Sequence, residues 1–103
     1  MAFELIITRS AEADLEGILA YLTAELHNPA AAAQLLDRVE ECYDALEARP
    51  LMYPLCAQPL LRPGGYRKAV LGAYLMVYHV DPSASRVYVD RFFHELQDYA
   101  DKL

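Results

Sequence analysis

Residues 66–93 read YRKAVLGAYLMVYHVDPSASRVYVDRFF, and this stretch decides the fold. Tyr66–Leu71 and Tyr74–Val80 are rich in β-branched and aromatic residues and flank Gly72-Ala73. Glycine at the first central position suits a tight type II′ turn, so the pair predicts a hairpin. Asp81-Pro82-Ser83-Ala84-Ser85 is a second turn, because Asp, Pro and Ser each favour turn geometry. Arg86–Phe93 then alternates. The pattern predicts Val87, Val89, Arg91 and Phe93 on one side and Arg86, Tyr88, Asp90 and Phe92 on the other. Three strands in a row joined by short turns make an antiparallel meander.

The chain before the meander is helical. Phe3–Thr8 is short, apolar and β-branched and reads as a strand. Ser10 is the expected N-cap of the first helix, with Glu12, Asp14 and Glu16 placed early, where they favour the helix dipole. Leu15, Ile18, Leu19, Leu22 and Leu26 recur at helical spacing and predict one apolar stripe. Asn28-Pro29 closes that helix and opens a second, with Asn as N-cap and Pro at the first helical position. Leu35, Leu36, Val39, Tyr43 and Leu46 form its apolar face, and Pro50 forces Arg49 out of helical geometry. Residues 50–65 are punctuated by Pro50, Pro54, Pro59, Pro63, Gly64 and Gly65 and read as a loop. His94–Leu103 reads as a short C-terminal helix with Leu96, Tyr99, Ala100 and Leu103 inward. The expected architecture is α+β: an N-terminal strand, a two-helix hairpin packed on a small antiparallel sheet, and a short C-terminal helix, all in one domain spanning 1–103.

Composition narrows the function. The chain has 103 residues, of which 55% are hydrophobic and 11% aromatic, which marks a folded globule. Its two cysteines, Cys42 and Cys56, read as free thiols of a reducing compartment. No Cys/His cluster has zinc spacing, so neither a metal nor another cofactor is expected. No apolar run is long enough to span a membrane. The opening Met1-Ala2-Phe3-Glu4 lacks the basic and apolar regions of a signal peptide. The expected location is therefore the cytoplasm.

The net charge of −6 is unevenly spread. Residues 1–49 hold ten acidic residues against three arginines, while residues 50–94 hold Arg62, Arg67, Lys68, Arg86 and Arg91 against Asp81 and Asp90. That balance argues against a general nucleic-acid binder and leaves room for one local basic surface in the second half.

In this order of elements, several motifs resemble the RelE/ParE family of toxins from type II toxin–antitoxin systems. Ser10, Ala13, Leu15, Ile18 and Tyr21 resemble the opening of the first helix in that family. Asn28-Pro29 with Ala31-Ala32 resembles the start of the second, and Leu46, Pro50 and Tyr53-Pro54 its exit. Gly65-Tyr66-Arg67-Lys68, then Tyr74-Leu75, Tyr78, Val80-Asp81, then Val87, Val89, Arg91 and His94, resemble the sheet. His94, Asp98 and Tyr99 resemble the tail. The resemblance covers nearly the whole chain.

It implies a small toxin neutralised by a cognate antitoxin in a hetero-oligomer, with the local basic strand region facing an acidic antitoxin tail. RelE-like members cleave messenger RNA on the ribosome without a metal, whereas ParE-like members share the fold and poison DNA gyrase. Some relatives show neither activity. RNA cleavage needs a base, cations on the phosphate and an acid for the leaving oxygen. For that reaction the resemblance points to Arg67 and Arg91 as phosphate holders and His94 as acid or base, with Lys68, Arg62 and Tyr99 binding substrate. The leading expectation is this ribosome-dependent endoribonuclease. Against it, strong ribosome-dependent members carry several lysines around the loop, and here only Arg62 lies between Pro50 and Tyr66. The acidic net charge likewise favours the gyrase-directed alternative, or an inactive member that only binds its antitoxin.

Overall fold

A computed structural model describes residues 3–56 and 64–95. Arg62, Tyr99 and residues 96–103 of the expected C-terminal helix lie outside the described residues, and His94, expected to open that helix, is the last residue of a strand instead. Strand β1 (Glu4–Ile7) leads into helix α1 (Arg9–Ala20), a π-helical turn (Tyr21–Glu25) and helix α2 (Pro29–Ala48). Strands β2 (Arg67–Leu71), β3 (Tyr74–Asp81) and β4 (Arg86–His94) follow as the expected meander. The four strands lie in the order β1-β4-β3-β2.

The sheet is mixed rather than wholly antiparallel. β2–β3 and β3–β4 are antiparallel, but β1 joins β4 in parallel, with Glu4 opposite Arg86 and Ile7 opposite Val89. A strand separated from the meander by a helical hairpin takes its direction from the chain path, which local sequence does not encode.

The first helix starts earlier than expected. Thr8, not Ser10, is its N-cap: the Thr8 hydroxyl accepts from the Ala11 amide at 3.2 Å. The same hydroxyl lies 2.9 Å from the Val89 carbonyl, to which it donates. One side chain thus caps the helix and pins it to β4. At its other end α1 runs into the π-helical turn, where the Leu26 amide reaches back to the Tyr21 carbonyl at 3.1 Å. The extra residue in that turn rotates everything after it by about 100°. Leu22 is buried, but Leu26, expected on the same stripe, is 52% exposed. His27 adopts a left-handed backbone, φ 47°, and breaks the helix. Asn28 then caps α2 through the Ala31 amide at 3.1 Å, with Pro29 in the first turn, as its sequence predicts.

Both helices pack on one face of the sheet. Ala11, Leu22, Ala32, Leu35, Val39, Cys42 and Leu46 meet Ala69, Leu71, Met76, Tyr78, Val87, Val89 and Phe92. The other face carries a smaller cluster of Cys56, Leu75, Val77 and Phe93 with Tyr66 against it. β3 is therefore buried on both faces from Leu75 to Tyr78, which accounts for its unbroken apolar run. Cys42 and Cys56 are buried free thiols. Gly72 has φ +68°, while Ala73 is not among the positive-φ residues, the combination a type II′ turn requires.

β4 carries a bulge that its alternation hides. Val77 pairs with Arg91 and Tyr78 with Val89, so Asp90 has no opposite number. The extra residue reverses the faces beyond it. Phe92, not Arg91, joins Val87 and Val89 in the main core, and Phe93 lies in the smaller cluster.

Three buried or hydrogen-bonded tyrosines make the fold sensitive to alkali. Tyr43 and Tyr78 are pushed up to about 12 chiefly by burial, and Tyr53 to about 12 chiefly by its hydrogen bond to the Cys42 thiol. Between the ordinary phenol value, about 10, and 12 the unfolded chain holds fewer protons than the folded one. Stability conferred by these groups is therefore complete below pH 10 and falls as pH rises toward 12. An alkaline titration followed by phenolate absorbance and circular dichroism should show these three of the eight tyrosines ionising together with unfolding. Ionisation of all eight near pH 10 with the fold intact would refute it.

Candidate functional site

The register of the meander decides where each expected site residue lies. Arg67 opens β2 opposite Tyr78, on the face that carries the helices. Its guanidinium turns to the loop that leaves α2. Nη1 donates to the Tyr53 carbonyl at 2.7 Å and approaches the Leu51 carbonyl at 3.5 Å. A cation bonded to two backbone carbonyls fixes the loop's path. Lys68, the next residue, pairs with Val77 on the opposite face and makes no ion pair among the described residues.

Arg91 shares the Val77 row with Lys68. Its guanidinium lies 5.1 Å from the Phe93 ring centroid. It then reaches around the sheet edge to α1, where Nε and Nη2 donate to the two Asp14 carboxylate oxygens at 2.6 and 3.0 Å. Asp14 also accepts from the Phe92 amide at 3.0 Å. β1 ends at Ile7, so this carboxylate takes over an edge position where a longer strand would have paired. Fork-to-carboxylate pairing of this kind is short and directional.

His94 closes β4 opposite Tyr74, and the two rings meet edge-on at 5.4 Å. It is exposed and lies on the helix-bearing side at the far end from Arg67. The two positions are four residues apart along β3, or about 13 Å at ordinary strand rise. The structure therefore does not bring Arg67, Arg91 and His94 together. Two of them occupy opposite faces and the third the opposite end.

His94 and Arg91 instead line a different feature. A cavity of about 540 Å³ lies between α1 and the end of β4, bordered by Asp14, Gly17, Tyr21, Tyr74 and Phe92 as well.

A second polar constellation was not expected from the sequence. His79 Nδ1 lies 2.6 Å from Asp90 Oδ2. Its ring stacks on Tyr88 at 5.0 Å and meets Tyr66 edge-on at 5.6 Å. Burial raises the Asp90 carboxyl above its ordinary value, against the opposing pull of the His79 hydrogen bond. Counting back from the 81–86 turn pairs His79 with Tyr88, so half of this group could have been read from the sequence. Asp90 could not, because it reaches His79 from the bulge.

The basic surface expected of the second half is largely consumed internally. Arg67 holds loop carbonyls, Arg86 pairs with Glu4 at 2.9 Å, and Arg91 pairs with Asp14.

The same arrangement of elements occurs in solved toxin–antitoxin structures. The chain superposes on a chain of the RelBE2 complex of Mycobacterium tuberculosis with TM-score 0.65 and 22% identity, over 94% of this chain and 95% of that one. The chromosomal ParDE system of P. aeruginosa gives 0.69 and 20%, over 90% and 96%. The archaeal RelE–RelB complex of Pyrococcus horikoshii gives 0.63 and 17%, over 94% and 99%. No curated protein sequence matches the chain. A family model described as the ParE toxin of the type II toxin–antitoxin system parDE matches residues 5–99. With that match running through both helices and the whole sheet, the chain belongs to the RelE/ParE family of type II toxin–antitoxin toxins.

Proposed function

We propose that this protein arrests growth by binding DNA gyrase, and that a cognate antitoxin neutralises it by direct association. The observation that supports binding over RNA cleavage is the separation of Arg67 from Arg91 and His94, which border one cavity. A metal-free cut at a phosphate needs base, cation and acid within hydrogen-bond reach of one site. Here Arg67 and Arg91 sit on opposite faces, each turned to an internal acceptor. In this reading Arg67 positions the loop after α2, Arg91 tethers α1, and His94 belongs to the groove wall. Lys68 remains the described basic side chain of the sheet available to a partner. The family's ParE description supports the same target.

Induction of the toxin alone in a bacterial host, with DNA synthesis and translation followed in parallel, tests this. DNA synthesis should fall first while translation continues, and Arg67→Ala should stay toxic. An immediate stop in translation, abolished by Arg67→Ala, would establish mRNA cleavage instead. Unchanged growth would mark a member that only binds its antitoxin.

A further inference from the structure

The sheet ends at β2, and part of that edge is open. The Cys56 amide donates to the Tyr66 carbonyl at 2.8 Å and the Lys68 amide to the Pro54 carbonyl at 3.2 Å, so the loop after α2 covers the edge only as far as Lys68. Ahead of Pro54 the loop lies toward the helix-bearing face, where Tyr53 meets Tyr78. Backbone groups along a strand alternate between its two sides. Those of Tyr66 and Lys68 point away from β3, and so do those of Val70. Neither its N–H nor its carbonyl has a backbone partner among the described residues. Val70 is also 61% exposed, and Leu51, Met52 and Leu55 of the adjoining loop are exposed beside it. We propose that this edge pairs with the same edge of a second copy of the chain, β2 against β2 in antiparallel sense, on a two-fold axis through Val70. The inference holds whichever target the toxin attacks.

Three features select a second copy as the occupant. The first is backbone geometry. Opposed residues of an antiparallel pair whose groups face each other exchange two hydrogen bonds. On a two-fold axis, Val70 makes that exchange with its own counterpart. The second is length. This register sets Leu71 opposite Ala69 and Gly72 opposite Lys68. The incoming strand therefore ends, in its Gly72-Ala73 turn, where the Pro54–Cys56 segment begins to occupy the edge.

The third feature is charge. Lys68 and the exposed Glu95 form no ion pair among the described residues. The Glu95 amide donates to the Ala73 carbonyl at 2.8 Å, which holds Glu95 beside the turn. Since Lys68 of one copy faces Gly72 of the other, it comes within side-chain reach of Glu95 of that copy, and the two-fold axis makes the contact twice. The acid surplus lies elsewhere, in residues 1–49, so two copies meeting through β2 approach by their less acidic halves. A pairing this short falls at the small end of specific interfaces, and its dissociation constant should lie on the order of 10–100 µM.

Sedimentation equilibrium of the full chain from about 5 to 500 µM, a range chosen to bracket that constant, tests the assignment. The mass of the wild type should rise from 11.6 kDa toward twice that value. Val70→Pro removes the outward N–H and leaves the β2–β3 ladder its donors, since proline is tolerated on an edge strand. It should stay at the monomer mass throughout, with an unchanged circular dichroism spectrum. Lys68→Glu and Glu95→Lys, both on the surface, should each weaken the dimer roughly tenfold, because each reversal acts at two symmetric contacts. Lys68→Glu/Glu95→Lys should restore it to within about twofold of wild type. A wild type that stays monomeric, a Val70→Pro dimer as tight as wild type, or a charge swap that fails to restore association would overturn the pairing.

Discussion

Tyr78→Ala is expected to remove a large share of the folding stability. Tyr78 is fully buried in the middle of β3. Its ring meets Tyr53 at 6.2 Å and its hydroxyl donates to the Pro50 carbonyl at 2.9 Å. Removing a buried aromatic ring costs about 3–5 kcal/mol through lost transfer energy and a residual cavity. A domain of this size has only about 5–15 kcal/mol to lose. Tyr78→Phe separates the two contributions. It keeps the ring and strands the Pro50 carbonyl, for about 1–2 kcal/mol. Urea denaturation of both variants provides the check. A Tyr78→Ala midpoint close to that of wild type would mean that the loop after α2 does not depend on this side chain.

Asp14→Ala is expected to cost about 2–3 kcal/mol, between the ranges for exposed and for buried ion pairs. The intermediate value follows from side-chain exposures of 18% for Asp14 and 27% for Arg91. Three hydrogen bonds go at once, including the one that the Phe92 amide donates at the sheet edge. At about 4–8 °C per kcal/mol, Tm should fall by roughly 10–20 °C. Asp14→Ala/Arg91→Ala should recover part of that loss, because it removes the half-buried guanidinium left without its carboxylate. A Tm for Asp14→Ala within a degree or two of wild type would show that the pair does not hold α1 to β4.

Both residues carry more in the structure than in the sequence. Asp14 looks like one of several early helix acids favoured by the dipole, yet it closes the edge of a strand 78 residues away. Arg91 looks like one of four side chains alternating onto a single face. One bulge residue moves it to the other face and turns it toward α1. Leu26 loses its place in the apolar stripe for the same kind of reason, a single extra residue in a helical turn. Periodicity carries a reading along an element only until a residue is inserted, and insertions are set by packing.

Sequence alone determined what depends on local chemistry. Gly72 demanded the tight hairpin turn, Asn28-Pro29 started α2, and Pro50 stopped it. Together with the motif order, these determined the α+β class and the RelE/ParE family. Tertiary structure decided the parallel pairing of β1 with β4, the bulge at Asp90, the His79–Asp90 contact, and the separation of Arg67, Arg91 and His94. Each of these joins residues distant along the chain, or depends on the register between two strands. Neither is a property of any one segment, and both are settled only when the helices and the sheet bury their faces together.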